Sequence, residues 1–123
     1  MNRAIEVKLP IQTKSELNMR EHWAAKASRV KKQKEVTKAM LHNHLVGQDF
    51  DNCNIKVVFT RLGARKLDTG DNLASAFKAI RDAIASMIGI DDADCCYEWV
   101  YQQETAKKPD RGTVIRIEWE DER

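Results

Sequence analysis

Asn72-Leu73-Ala74-Ser75-Ala76-Phe77-Lys78-Ala79-Ile80-Arg81-Asp82-Ala83-Ile84-Ala85-Ser86-Met87-Ile88 is the segment on which the reading of the fold turns. Leu73, Phe77, Ile80, Ile84, Met87 and Ile88 recur at steps of three and four, so the spacing predicts a helix with one apolar stripe. Gly89 supplies its stop. At about 100° per residue, Asp71 (as first position), Ser75, Lys78 and Asp82 fall opposite that stripe. A helix with one apolar side must bury it, and the segments on either side offer strands as the cover.

Upstream, Asn54–Leu62 alternates Ile55, Val57 and Phe59 with Lys56, Val58 and Thr60, and Gly63 to Gly70 reads as a loop. Ala4–Leu9 alternates in the same way and stops at Pro10. Between these strands, Arg20–Leu45 has neither Gly nor Pro and is rich in Ala, Lys, Gln, Glu and Met, which predicts a long helix closed by Gly47. Its apolar side is thin: Trp23, Ala27, Val30, Met40, Leu41 and Leu45. Its middle is therefore expected on solvent or on a ligand.

Downstream, Cys95–Gln102 is strand-like, Lys107–Gly112 is a turn, and Thr113–Trp119 alternates again. The order is β-α-β-α-β-β. It predicts an α+β, two-layer domain with a four-stranded mixed sheet and two helices on one face, the last two strands being close enough for a hairpin. One domain over residues 1–123 is expected, since 123 residues leave little room for a second.

The composition, 33% charged and 42% hydrophobic, is that of a globular domain and not of a disordered chain. No apolar run approaches the roughly 20 residues of a membrane span. The N-terminal MNRAIEVKLP lacks the apolar centre of a signal peptide, so a cytoplasmic location is expected. Cys53, Cys95 and Cys96 have no metal-binding spacing and are expected as buried or half-buried thiols. His42 and His44, two apart on a helix, do not share a face and suggest no metal site.

The net charge of +2 conceals an uneven distribution. Arg20, Lys26, Arg29, Lys31, Lys32, Lys34 and Lys38 lie on the long predicted helix, and Arg61, Arg65 and Lys66 precede an acidic stretch from Asp68 to Asp94. Cations beside compact carboxylates suit a polyanion that is gripped and also approached by a cation-bound oxygen. A solvated helix face with an acidic turn accounts for the charges equally well. Asp68 and Asp71 sit in the loop entering the central helix, where Asp71 or Asn72 can serve as its cap. Asp91 and Asp92 follow its far end, where a polar turn is the plain alternative. The chemistry these groups allow is that of Mg²⁺, a hard cation held by one or two carboxylates and phosphate oxygens. It can activate water for phosphodiester hydrolysis, with Lys78 stabilising charge on phosphate.

Asp71-Asn72-Leu73, then Lys78-Ala79-Ile80-Arg81-Asp82-Ala83-Ile84, then Ile90-Asp91-Asp92-Ala93 together resemble the RusA-type Holliday junction resolvases of phages and prophages. That family shows Asp-x-Asp-Asn-Leu, Lys-x-x-x-Asp-(Ala/Gly)-Leu and Leu-Asp-Asp in this order. Leu17-Asn18-Met19-Arg20-Glu21-His22-Trp23 resembles a phage branch of it. Two spacings depart from the pattern: Asp68-Thr69-Gly70-Asp71 carries one extra residue, and Leu73 to Lys78 is longer by about a turn. The resemblance implies a homodimeric, Mg²⁺-dependent endodeoxyribonuclease acting on four-way junctions and other branched DNA. It implies Asp68, Asp71, Asp92 and Lys78 as catalytic residues, and Asp68, Asp71, Asp91 and Asp92 as the metal set. Arg20, Lys31, Lys32, Lys34, Arg61, Arg65 and Lys66 are then expected on the DNA backbone, without reading bases. A non-catalytic, structure-selective DNA-binding protein is the main alternative. A metal-dependent nucleotide hydrolase is disfavoured, because a free nucleotide needs no long cationic surface.

Overall fold

The computed structural model describes residues 2–13, 23–51, 53–67 and 71–120. The elements are β1 (Asn2–Leu9), α1 (Trp23–Leu45), β2 (Ile55–Gly63), α2 (Asp71–Ala76), α3 (Lys78–Ile88), β3 (Tyr97–Thr105) and β4 (Gly112–Glu120), with a 3₁₀ turn at Lys108–Asp110 before β4. The α+β class and the order β-α-β-α-β-β are as expected, with the second helix in two pieces. No helix among the described residues is long and apolar enough to cross a membrane.

The sheet order is β1-β4-β2-β3, with β4 antiparallel to both β1 and β2, and β3 parallel to β2. The expected hairpin between the last two strands does not form. Instead, β4 passes to the other side of β2, and residues 106–111 cross the end of that strand, where the Ala106 amide donates to the Gly63 carbonyl at 2.9 Å. The burial of the two strands explains the placement. Ile115, Ile117 and Trp119 of β4 are at most 4% exposed and belong in the centre, whereas Glu98, Gln102 and Glu104 of β3 are exposed and suit an edge.

The register stacks the inward side chains in rows. Ile5, Ile117, Val57 and Trp99 form one row, and Val7, Ile115, Phe59 and Tyr101 the next. On this face α1 buries Gln33, Thr37, Leu41 and Leu45, and packs along α3, where Ala79 and Ala83 are buried. The thin apolar stripe expected of α1 is therefore corrected. Trp23 is 77% exposed, Ala27 and Met40 are also exposed, and two polar residues extend the buried side of Leu41 and Leu45.

The helix expected over Asn72–Ile88 is interrupted at Phe77, whose amide donates to the Ala74 carbonyl, three residues back, at 3.1 Å. The tightened turn sits where Phe77 enters an aromatic layer. Its ring stacks on Phe59 at 5.0 Å and on Tyr101 at 5.9 Å. Gly89 then caps α3 in the left-handed region, at φ 85°, as its position predicts. Phe77→Ala removes a wholly buried ring and is expected to cost about 3–5 kcal/mol, measured by urea denaturation. A cost below about 1 kcal/mol would mean that this layer does not anchor the helix pair.

Candidate functional site

Beyond its apolar rows, the inner face of the sheet ends in a polar one. Thr113, Arg61 and Gln103 lie side by side across β4, β2 and β3. Thr113 Oγ1 donates to the Ile11 carbonyl at 2.9 Å. Arg61 Nε donates to the Thr13 carbonyl at 3.2 Å, and its Nη1 to the Arg65 carbonyl at 2.7 Å. Gln103 both accepts from the Leu67 amide at 2.8 Å and donates to the Leu67 carbonyl at 2.7 Å. This row ties two segments to the end of the sheet: the exit of β1 and the segment that leads into the acidic loop. Arg61, expected on DNA, is thus turned into the fold; burial lowers the pKa of its guanidinium. Gly63 lies against that guanidinium, so a side chain at this position would have to push the Arg61 head group aside. Arg65 and Lys66 stay exposed.

The second acidic segment returns to the same edge strand. Arg81 of α3 donates from Nε to Asp92 Oδ2 at 3.0 Å, from Nη2 to the Asp92 carbonyl at 3.3 Å, and from Nη1 to Tyr101 Oη at 2.7 Å. Its guanidinium lies 4.7 Å over the Trp99 ring, and Trp99 Nε1 donates to the Asp92 carbonyl at 2.9 Å. Asp92 is therefore docked beside Trp99, while Leu67 is docked at Gln103 on the same strand and face. Four strand residues separate the two anchors, about 13 Å. Tyr97 Oη, donating to the Ile90 carbonyl at 2.9 Å, fixes the loop's entry.

Asp91 is exposed, and its Oδ1 accepts the Ala93 amide at 3.0 Å. That bond, helped by the Asp92 side chain, holds its pKa below the usual carboxylate value. Asp82, Asp91 and Asp92 border one cavity of about 320 Å³. Its titratable groups are all carboxylates, with no thiol or imidazole, which is the donor chemistry of a hard divalent cation. Among the described residues, no group of three or more His, Cys, Asp or Glu converges as a ready metal cage. Asp68 and Arg20 lie outside the described residues. Asp71 opens α2, but its side chain is likewise outside them.

Lys78 starts α3 and is exposed. With Lys26 and Lys34 of α1, Ser75 and Asp82, it lines a cleft of about 450 Å³ between α1 and the α2–α3 pair. Ser75, Lys78 and Asp82 thus share a side, as the helical spacing predicts. Among the described residues Lys78 makes no ion pair. Asp82 borders both the cleft and the acidic cavity, so one flank of α3 runs from three lysines to three carboxylates. Lys31 and Lys32 are exposed, while Lys34 is half-buried. No family model and no curated protein sequence matches this chain.

Sequence reasoning missed Arg81, Trp99, Tyr101 and Gln103. The last three were visible as the inward phase of one alternating strand, but the residues they would hold were not. The thiols also need correction: Cys53 is buried and Cys96 half-buried, but Cys95 is exposed, because the turn before β3 points it outward. Burial, then Asp94, raises the pKa of Cys96. Since the thiolate is the reactive form, Cys95 is expected to react with iodoacetamide before Cys96 at neutral pH. Labelling of Cys96 should catch up only as the pH rises, as peptide mass spectrometry can follow. In a second test, Gln103→Leu is expected to speed hydrogen exchange at the Leu67 amide by tenfold or more, while exchange at the β2–β4 ladder amides stays slow. Unchanged exchange at Leu67 would remove Gln103 as the anchor of the acidic loop.

Proposed function

We propose that this chain is a Mg²⁺-dependent endodeoxyribonuclease of the RusA type. It would hydrolyse phosphodiesters in Holliday junctions and other branched DNA during recombination and repair. The observation that most supports this reading is the return of Asp92 to the edge strand that also anchors the segment before Asp68. Asp91 and Asp92 thereby lie with Asp82 along the flank of α3, beside the cleft that Lys78 lines.

Asp68, Asp71, Asp91 and Asp92 would hold Mg²⁺. When bound, the ion supplies Lewis-acid polarisation of phosphate and an acidified water. The remaining work belongs to the chain. Arg81 fixes the Asp92 carboxylate through Oδ2, leaving Oδ1 free of that bond. Lys78 offers its ammonium to the phosphate as negative charge builds there. Lys26 and Lys34 extend the cationic wall for the strand on either side of the cut. Lys31, Lys32, Arg65 and Lys66 are exposed for further backbone contacts. A homodimer, giving two centres related by a two-fold axis, suits a four-way junction of near two-fold symmetry and forms part of the proposal.

The alternative, a structure-selective DNA-binding protein without catalysis, keeps the cationic cleft and gives the carboxylates no role. A labelled four-way junction and a linear duplex, each with Mg²⁺ and with EDTA, separate the two. Paired, symmetric, Mg²⁺-dependent nicks on the junction are expected. Asp92→Asn and Asp71→Asn should each lower cleavage at least a hundredfold and spare junction binding. Junction binding without cuts in Mg²⁺ or Mn²⁺ would overturn the nuclease and leave the binding protein.

A further inference from the structure

The sheet has two edge strands, β1 and β3, and they differ in how they are guarded. An edge presents a row of amide and carbonyl groups to any strand that approaches, and proteins commonly blunt it with a bulge, an inward charge, a proline or a covering segment. On β3, Leu67 is docked at Gln103, Arg81 lies over Trp99, and the Asp92 carbonyl is bound to the same indole. The charged residues that β3 exposes, Glu98 and Glu104, are of one sign. On β1, pairing with β4 runs from Asn2 to Leu9 without a bulge. Ile5 and Val7 point inward, apolar and only half-buried, while Glu6 and Lys8 are exposed on the outer face. Proline comes only at Pro10, after the strand has ended. Among the described residues no strand pairs with the other side of β1.

We propose that β1 pairs antiparallel with β1 of a second copy of this chain, across a two-fold axis at Val7, so that two four-stranded sheets become one. The inference rests on the dimer of the reading above and names the surface that forms it. Charge selects the register. Residues set opposite each other must point to the same face, so the axis passes through a residue and not between two. An axis at Glu6 or at Lys8 sets like charges against each other. An axis at Ala4 or at Ile5 gives neither Glu6 nor Lys8 an opposite charge. An axis at Val7 sets Glu6 of each copy opposite Lys8 of the other, Val7 opposite Val7, and Ile5 opposite Leu9. Opposite charges across strands are favourable and like charges unfavourable, and in a two-fold interface each pair occurs twice. Lys8 Nζ also donates to the Asp110 carbonyl at 3.0 Å, and an ammonium has two further donors. Pro10, which has no amide hydrogen, closes the shared ladder just past Leu9. A sheet continued in this way keeps its two faces, so the helices of both copies form one layer, with both Lys78 clefts in it. The β3 strands become its outer edges, seven strand spacings or about 34 Å apart, close to one turn of duplex DNA.

The test is sedimentation velocity on the full chain without DNA, over a series of concentrations. The wild type is expected to pass from monomer to dimer as its concentration rises. Glu6→Lys and Lys8→Glu each set like charges opposite one another at two places, and each is expected to weaken the dimer about tenfold or more. An equimolar mixture of these two variants restores opposite signs at both places. It is expected to form a heterodimer at least as well as the wild type forms its dimer, which native mass spectrometry identifies by mass. The double variant Glu6→Lys/Lys8→Glu should likewise recover the dimer. Recovery in the mixture separates charge pairing from a failure to fold, which thermal melts of each variant check directly. A wild type that stays monomeric, a dimer indifferent to both substitutions, or a mixture without recovery overturns the inference. Junction cleavage is read separately on the same samples. Nicking by a protein whose assembly ignores Glu6 and Lys8 leaves the nuclease reading standing without this interface. A dimer that follows the charge pattern but cuts no junction keeps the interface and overturns the nuclease.

Discussion

The polar row formed by Thr113, Arg61 and Gln103 is the constraint on which the candidate site depends. The two rows next to it, centred on Ile115 and Ile117, fill the core, and through Tyr101 and Trp99 they also hold Arg81 and Asp92. In the polar row, which Leu9 completes on β1, Thr113, Arg61 and Gln103 are each committed to main-chain groups of a crossing segment. Single hydrogen bonds of this kind contribute about 0.5–1.5 kcal/mol each, and breaking one at a buried site costs about 1–3 kcal/mol. Such bonds contribute little to a core of this size. They are decisive for where two otherwise unsupported segments lie. Arg61 has the largest part, because one guanidinium joins the exit of β1 to the segment before Asp68.

A second organising feature is the way α1 divides its charge. Gln33, Thr37, Leu41 and Leu45 face inward at steps of four. Lys26 and Lys34, eight residues apart with Val30 between them, line the cleft toward α3, while Arg29 and Lys32 turn toward the β1–α1 connection. One helix therefore furnishes two cationic grooves on either side of its buried stripe. The small residues Ala79 and Ala83 on α3 leave space for α1 to pack along it, and the α1–α3 cleft lies where the two helices meet. Helix packing and electrostatics are here the same fact seen from two sides.

Asp92 illustrates how a carboxylate proposed as a metal ligand can also belong to a structural ion pair. Arg81 and Asp92 are each about one-third exposed, at 29% and 34%. As an exposed pair their attraction alone would contribute at most about 1 kcal/mol. Trp99 and Tyr101 make the arrangement specific: one supports the guanidinium by its face and holds the Asp92 carbonyl, and the other accepts from the same guanidinium. The carboxylate is oriented by the Arg81 guanidinium, which the two aromatic side chains hold in place.

The sequence by itself determined much of the architecture. Period-two alternation in four segments and the Leu73–Phe77–Ile80–Ile84 stripe fix the strands, the helices and the buried faces, because burial acts locally on each element. Gly89 announces its own turn, and the side shared by Ser75, Lys78 and Asp82 follows from helical geometry. The tertiary structure alone decided the rest. Strand order depends on competition among strands for the centre, which Ile115, Ile117 and Trp119 win for β4, so the short β3–β4 connection gives no hairpin. The break falls at Phe77, whose ring stacks on Phe59 and Tyr101, partners far away in sequence. The tasks of Arg61 and Gln103 were equally hidden, since polar residues at strand ends look alike until the chain crossing above them is known. A carboxylate's type can be read from one position, but its company depends on which distant segments the fold brings to the same edge.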